Sequence, residues 1–338
     1  MPILSRFAVP PAVGHPMNDS TLSLFVRVTQ KCQEAEGIFS YELSDPHGRP
    51  LPAFSAGAHI DVRVKEGVIR QYSLCGHPQE RDRYFIAVLR EPRSRGGSVA
   101  MHDEIEEGDL LQISAPKNHF PLEPARRSIL FAGGIGVTPI LCMVERLSHT
   151  QAQFEMHYCA RSRERMAFAD RLSQSAYADQ VHFYYDDAPE AGKLDVAAVA
   201  GEPNDETHIY VCGPGGYIDH VMSTCKAQGW PPSQLHTEYF SGVETMSEED
   251  ESFEVKIASS GATFSVPKDK SVYEVLSENG IDIMVSCEQG VCGTCLTRVL
   301  EGEPDHRDLY LDDDEHAAND QFTPCCSRAK SKTLVLDL

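Results

Sequence analysis

A chain of 338 residues exceeds what a single hydrophobic core serves, so two or three domains are expected. Its 41% apolar and 24% charged residues are ordinary globular usage without repeats or low-complexity tracts, which excludes a fibrous or disordered chain. The formal charge of −21 argues against nucleic acid and anionic membranes as partners, and no apolar run reaches the ~18 residues of a membrane span.

Residues 1–20 read as a disordered extension: MPILSRFAVPPAVGHP carries one Arg and is broken by Pro10 and Pro11, so it fails as a signal peptide. A cytoplasmic location is the expectation. Residues 21–125 follow as short β-rich runs, LSLFVRV, GIFSYEL, AHIDVRV, IRQYSL, RYFIAVLR and DLLQISA, separated by turn segments such as DPHGRP and EPRSRGGS. This spacing predicts an antiparallel β-barrel. Within it Arg70, Gln71, Tyr72 and Ser73 close a strand, and Arg95-Gly96-Gly97-Ser98 leads into a helix from Val99 to Ile105. An Arg can pair a phosphate bidentately, a Tyr can cover a ring, and glycines with Ser98 can donate to a phosphate at a helix start. Each is an ordinary strand end or turn when taken singly; together they describe a mononucleotide site.

From Ser128 the pattern changes to apolar strands alternating with helices, and residues 126–240 are expected to form an α/β domain with a parallel sheet. SILFAGG is followed by helical PILCMVERLS, then FEMHYCA, a helix over 166–174, VHFYYDD and THIYVCG. Gly133, Gly134 and Gly136 in ILFAGGIGVTP mark a strand-to-helix turn where a pyrophosphate can approach backbone N–H groups. That motif is weak alone, and Cys212-Gly213-Pro214 at a later strand end strengthens it. Arg161, Arg163 and Arg165 follow FEMHYCA where an NADPH enzyme would read a 2′-phosphate, while Asp186 and Asp187 offer carboxylates for ribose or are a solvated strand end.

Residues 241–252, SGVETMSEEDES, read as an acidic linker, and residues 253–338 as a small α+β domain. FEVKIASS and ATFSVP make a hairpin-like pair, and SVYEVLSENG sets Val272, Val275 and Leu276 on one helical face before Gly280. Six of the eleven cysteines, Cys32, Cys75, Cys142, Cys159, Cys212 and Cys225, are scattered and read as reduced, buried small hydrophobes. The other five lie between Cys287 and Cys326. Cys287, Cys292 and Cys295 with a later Cys give the C-x4-C-x2-C…C spacing of plant-type [2Fe-2S] ligation; a zinc knuckle is the competing reading. Gly290 and Gly293, between the ligands, let backbone N–H groups approach the sulfurs.

Taken together, these stretches resemble the reductase components of two-component Rieske oxygenases, of the phthalate dioxygenase reductase and vanillate demethylase reductase type, over residues 20–338. Further matching stretches are Asp305-His306-Arg307-Asp308, Cys325-Cys326-Ser327-Arg328-Ala329-Lys330 and the closing Leu334-Val335-Leu336-Asp337-Leu338. The resemblance implies an FMN barrel, an NADH-binding α/β domain and a C-terminal β-grasp ferredoxin domain whose cluster is held by Cys287, Cys292, Cys295 and Cys325. It assigns FMN to Arg70, Gln71, Tyr72, Ser73, Ala87, Val88, Leu89, Gly96, Gly97 and Ser98, with Thr138 and Phe240 nearby. It assigns the nicotinamide nucleotide to Gly133, Gly134, Gly136, Cys212, Gly213 and Pro214, with Ser73 and Cys212 closest to the chemistry. The function implied is an NADH-dependent reductase feeding a terminal Rieske-type aromatic oxygenase or O-demethylase, with no nucleic acid or membrane partner. A reductase of a haem monooxygenase and a redox-sensing iron–sulfur flavoprotein are the alternatives.

Overall fold

The computed structural model describes residues 22–91, 96–188, 192–240, 247, 249–285 and 287–338. The 1–20 extension, Arg95 and residues 241–246 of the acidic segment lie outside the described residues. Among the described residues, no helix is long and apolar enough to cross a membrane.

Alternating burial builds the first unit, because successive strand residues face opposite sides and only one side can join the core. Its elements are β1 (Leu24–Ala35), β2 (Ile38–Ser44), β3 (His59–Lys65), β4 (Val68–Ser73), β5 (Arg83–Leu89), α1 (Gly97–Glu104) and β6 (Leu110–Ile113). Helix α1 thus starts and ends slightly before the Val99–Ile105 expectation. The strands pair antiparallel in the order β4-β3-β6-β1-β2-β5, and a bridge between Leu74 and Ile86 brings the two edges together. Barrel closure removes the exposed edges that six strands would otherwise present. Helix α1 packs over the interior, with Ala100 and Met101 buried, the Tyr41 hydroxyl donating to the Met101 carbonyl at 2.7 Å and His102 Nε2 lying 2.8 Å from the Val88 carbonyl.

The second unit holds β7 (Arg127–Gly133), α2 (Val137–Thr150), β8 (Gln153–Ala160), α3 (Ala169–Ser173), β9 (Val181–Tyr185), α4 (Val196–Ala200), β10 (Thr207–Cys212), α5 (Gly215–Ala227) and β11 (Leu235–Glu238). All five strands are parallel, in the order β11-β10-β7-β8-β9. Leu130, Ala132, Met156 and Tyr158 face α2, while Ile129, Phe131, Ile209 and Val211 face the other layer with Ile218 and Val221. The helix expected over 166–174 is shorter: Met166, Ala167 and Phe168 are buried and Phe168 has φ 60°, so this apolar run plugs the core before the helix begins. Of the six scattered cysteines four are buried, while Cys32 and Cys159 keep partial exposure.

The third unit holds β12 (Phe253–Ile257), β13 (Thr263–Val266), α6 (Val272–Glu278), β14 (Thr297–Glu301), β15 (Pro304–Asp305), α7 (Asp313–Ala318), β16 (Gln321–Phe322), β17 (Arg328–Ala329) and β18 (Thr333–Leu336). The main sheet runs β13-β12-β18-β14-β16, with β12 and β18 parallel and the remaining pairs antiparallel; β15 and β17 form a side pair. Ser271 and Glu274 form a reciprocal capping box on α6, whose Val272, Val275 and Leu276 pack into the sheet as a β-grasp.

The acidic segment ends earlier than its sequence suggests. Asp250 is 6% exposed, binds Arg307 through two contacts of 2.6 and 2.9 Å, and faces Arg328 Nε at 3.6 Å. The Glu251 carbonyl accepts from Arg328 as well. This stretch therefore belongs to the third unit, since two cations contributed by distant segments neutralise what reads locally as repelling charge. Asp250→Asn should destabilise that unit, toward the lower end of the ~3–5 kcal/mol that breaking a buried ion pair costs, because Asp305 still holds Arg307. Thermal denaturation followed by circular dichroism measures this; an unchanged midpoint would show the pair to be structurally idle.

Candidate functional site

Arg70, Gln71, Tyr72 and Ser73 lie along β4, whose Tyr72 and Ser73 stand opposite Ile60 and His59 of β3. The Tyr72 hydroxyl is buried without a hydrogen-bond partner, and burial pushes its ionisation up. Gly96 opens α1 with φ 90°, and no side-chain hydrogen bond caps the helix start. A Cβ on Gly97 would lie 2.6 Å from Arg70 Cγ, and one on Gly96 would lie 3.1 Å from Lys65 Nζ. Two cations therefore converge on an uncapped helix start, an arrangement suited to phosphate. Lys65 was not identifiable from sequence, because a turn lysine in VKEG carries no signal of what it faces. The Ser98 hydroxyl accepts from the Glu91 N–H at 3.1 Å and keeps its own proton to donate. Ala87, Val88 and Leu89 occupy the end of β5, the first two buried.

In the parallel sheet, β7 has β8 on one side and β10 on the other, so the chain reverses direction of winding there and opens a crevice at the strands' C-terminal ends. Gly133, Gly134 and Gly136 sit at one lip; Cys212, Gly213 and Pro214 sit at the other. A Cβ on Gly136 would lie 2.3 Å from the Cys212 carbonyl oxygen, and one on Gly133 would lie 3.0 Å from Pro214 and Tyr217 atoms. Buried Thr138 donates to the Ile135 carbonyl at 3.1 Å and fixes the start of α2, while Phe240 is exposed beyond β11. Two of the three arginines after β8 are engaged elsewhere: Arg163 pairs with Asp170, and Arg165 with Glu36 of the barrel at 2.9 Å. Asp186 and Asp187 are exposed at the end of β9, their N–H groups bonded to the Ala160 and Arg161 carbonyls.

One acid that sequence reading missed joins the two units. Glu238 ends β11 in register with Cys212, and Ser73 Oγ donates to its Oε2 at 3.2 Å. Glu238 keeps some residue surface, yet its carboxyl is surrounded by protein, and burial pushes it up to about 8 against the opposing pull of the Ser73 bond. It therefore holds a proton at neutral pH. Burial likewise pushes the Cys212 thiol well up, so it is a thiol rather than a thiolate. No local pattern marks Glu238, because an acid at a strand end is ordinarily solvated.

Four buried thiols meet in the third unit. Hydrogen bonds from the Cys292 and Cys325 thiols, with the Gln289 and Val291 N–H groups, hold Cys287 far below the ordinary thiol range. Cys325 reaches Cys287 and Cys295, whereas adjacent Cys326, in contact with Cys325, reaches neither and turns to Thr323 Oγ1 at 3.1 Å. The glycines of the loop have a further role here. A Cβ on Gly290 would lie 2.4 Å from Cys326 Sγ and 3.0 Å from Asp308, and one on Gly293 would lie 2.2 Å from the Tyr310 ring. Tyr310, packed on this loop at Gly293, also touches the barrel, meeting His119 edge to face at 6.2 Å. Four thiols with a protein-supplied hydrogen-bond set and no disulfide fit an iron–sulfur group.

Residues 255–330 match the 2Fe-2S iron-sulfur cluster binding domain family, and residues 130–223 match the oxidoreductase NAD-binding domain family. Vanillate O-demethylase oxidoreductase of Pseudomonas putida is 54% identical over 92% of this chain and 98% of its own length. The chain belongs to this family of iron–sulfur reductases. A solved structure of phthalate dioxygenase reductase, described as a modular structure for electron transfer from pyridine nucleotides to [2Fe-2S], aligns with TM-score 0.76 at 40% identity over 93% of this chain and 98% of that one. The reductase also aligns with an intact type IV self-sufficient cytochrome P450 monooxygenase, with TM-score 0.80 and 38% identity over 98% of this chain and 43% of that one. It is an oxidoreductase with an NAD-binding domain and a [2Fe-2S] cluster domain.

Two outcomes follow for the reductase. Cys326→Ser should leave the visible cluster spectrum nearly intact while Cys325→Ser abolishes it, and the reverse result would reassign the fourth ligand. Because Glu238 is held protonated above its ordinary value, the fold loses stability relative to the unfolded chain as pH rises from about 4.5 to about 8. Glu238→Gln should therefore gain in melting temperature over the parent at pH 9 relative to pH 5; a difference constant with pH would contradict the proton assignment.

Proposed function

We propose that this reductase draws electrons from NADH and delivers them one at a time to the terminal oxygenase of a Rieske-type aromatic O-demethylase or ring dioxygenase. The supporting observation is the joining of three sites in one chain: Ser73 of the barrel bonds Glu238 of the parallel sheet, and His119 of the barrel meets Tyr310, which packs on the cysteine loop. On this reading residues 21–125, 126–240 and 253–338 are the flavin, nucleotide and ferredoxin domains. The high identity with vanillate O-demethylase oxidoreductase favours a demethylase system.

Bound FMN supplies the conversion of a two-electron hydride into single electrons that a [2Fe-2S] cluster can accept. Arg70, Lys65 and the N–H groups at Gly96, Gly97 and Ser98 hold its phosphate, while Gln71, Tyr72 and Ser73 with Ala87, Val88 and Leu89 line its ring system, near Thr138 and Phe240. Gly133, Gly134 and Gly136 with Cys212, Gly213 and Pro214 admit the nicotinamide nucleotide to the crevice. Glu238 keeps a proton and orients Ser73 Oγ, and the neutral Cys212 thiol adds no charge to the apolar contact. Cys287, Cys292, Cys295 and Cys325 hold the two irons on the side of the barrel.

A second reading, electron delivery to a haem monooxygenase, is favoured by the likeness to a self-sufficient cytochrome P450 monooxygenase. Turnover of an aromatic methyl ether such as vanillate by a purified Rieske oxygenase, driven by NADH and this reductase, distinguishes the two. Cys292→Ser should retain NADH oxidation with ferricyanide and lose that coupled turnover almost completely. Coupled turnover near the parent rate in the variant would remove the cluster from the route.

A further inference from the structure

Packed against the cysteine loop at Gly290, the Asp305-His306-Arg307-Asp308 stretch carries a group of side chains outside the proposed electron-transfer sites. His306, Asp308 and His316 each turn one ligand-type atom toward a common point, all within 4.8 Å of one another. His306 Nδ1 lies 3.8 Å and His316 Nε2 lies 3.4 Å from the same oxygen, Asp308 Oδ1. The two imidazoles face each other with ring centres 4.5 Å apart.

The other polar atoms of the inner pair are already committed. His306 Nε2 lies 3.3 Å from Asn319 Oδ1, and the Asn319 amide nitrogen faces the Ala317 carbonyl at 3.4 Å, which fixes the amide's orientation. Nε2 therefore carries the ring hydrogen, and Nδ1 presents a lone pair. That nitrogen has no hydrogen-bond partner, on a side chain only 8% exposed. Asp308, whose side chain is fully buried, accepts through Oδ2 from the Leu311 N–H at 2.8 Å and the Tyr310 N–H at 3.2 Å. Its Oδ1 has only two long hydrogen-bond contacts, each 3.4 Å, from Ser327 Oγ and with His316 Nε2. Two lone pairs thus face each other inside the protein, which burial penalises unless a positive centre lies between them.

We propose that His306, Asp308 and His316 form a binding site for one divalent transition-metal ion of the zinc class, with water completing the coordination beside His316. The two His–Asp separations, 3.8 and 3.4 Å, match within a few tenths of an ångström the roughly 3.4 Å edge that metal–nitrogen bonds of about 2.1 Å give a tetrahedron, and the third separation, at most 4.8 Å, closes as partly exposed His316 turns inward. Two imidazoles and a carboxylate select zinc, copper, nickel or cobalt over magnesium or calcium, which take oxygen ligands. Asn319 on His306 and the two N–H groups on Asp308 are the outer partners that orient such ligands. His316 is 28% exposed and provides the entry side. The Leu309 N–H bonds the Gly290 carbonyl at 2.9 Å, so a metal held here fastens the segment after His306 against the cysteine loop.

A second trio, Glu155, His157 and His182, has similar spacing, but Arg127 already supplies its positive charge through a 3.0 Å pair with Glu155. It serves as the internal control. Oxidised reductase loaded with FMN and cluster, freed of loose metal by a mild chelator, is titrated with Zn2+ by calorimetry beside His316→Ala and His182→Ala. One saturable Zn2+ per chain is expected in the parent and in His182→Ala. His316→Ala should keep its visible spectrum and bind at least about tenfold more weakly, as the loss of even an outer partner can do. Saturating Zn2+ should also raise the temperature at which cluster absorbance bleaches in the parent, but not in His316→Ala. Absence of saturable uptake in the parent, unchanged affinity in His316→Ala, or loss in His182→Ala instead would each overturn the assignment.

Discussion

A single hydrophobic core runs from the barrel into the parallel sheet, and the candidate chemistry depends on it. Ile38, Ala56, Cys75, Ala87 and Phe120 of the first unit pack with Leu130, Val137, Ile140, Leu141 and Met143 of the second. Cores of this density have low compressibility, so the relative placement of the two units is set to within a hydrogen bond's tolerance. That is why Ser73, at the end of a barrel strand, can meet Glu238, at the end of a strand in the other sheet, at 3.2 Å. Had the units been joined by a flexible tether, no such contact would be maintained, and hydride donor and acceptor sites would have to find each other by diffusion.

The third unit is attached on different terms. Its own core is separate, built from Val255, Ile257, Val275, Leu276, Leu334 and Leu336 with neighbours from the same sheet. Its contact with the barrel includes the polar aromatic pair His119 and Tyr310. Tyr310 also lies where a side chain on Gly293 would otherwise stand, so the residue that meets the barrel is seated directly on the thiol loop. Packing against the barrel and closure of the cysteine loop are thus coupled through one ring.

The placement of charge follows the same logic. Most of the excess acid is spent on solvated surface, where its effect is solubility and long-range steering. The few buried carboxylates each have a distinct resolution: Asp61 is neutralised by Lys117, Asp250 by Arg307 and Arg328, and Glu238 by retaining its proton, while Asp308 takes backbone N–H groups on one oxygen and longer side-chain contacts on the other. The second oxygen of Asp308, held only by 3.4 Å contacts with Ser327 Oγ and His316 Nε2, is the reason its surroundings invite a cation.

The sequence by itself determined the three-part architecture, because the signals are local. Alternation in the barrel strands, the switch to strand and helix at Ser128, and the four-cysteine spacing are all read within a few residues. The Gly136 and Cys212 turns were legible for the same reason, since each is a short strand-to-helix motif. Tertiary structure decided what depends on chain segments far apart. Lys65 beside Gly96, Glu238 beside Ser73, Asp250 between two arginines, and His316 facing His306 and Asp308 arise from contacts between separate elements. The same applies to Cys325 and Cys326: adjacent in sequence and chemically identical, they are distinguished only by the backbone turn that points one thiol at Cys287 and Cys295 and the other at Thr323. Spacing fixes which side chains share an element; only the packing of elements against one another fixes which polar atoms lose water together, and that loss sets their protonation and their ligands.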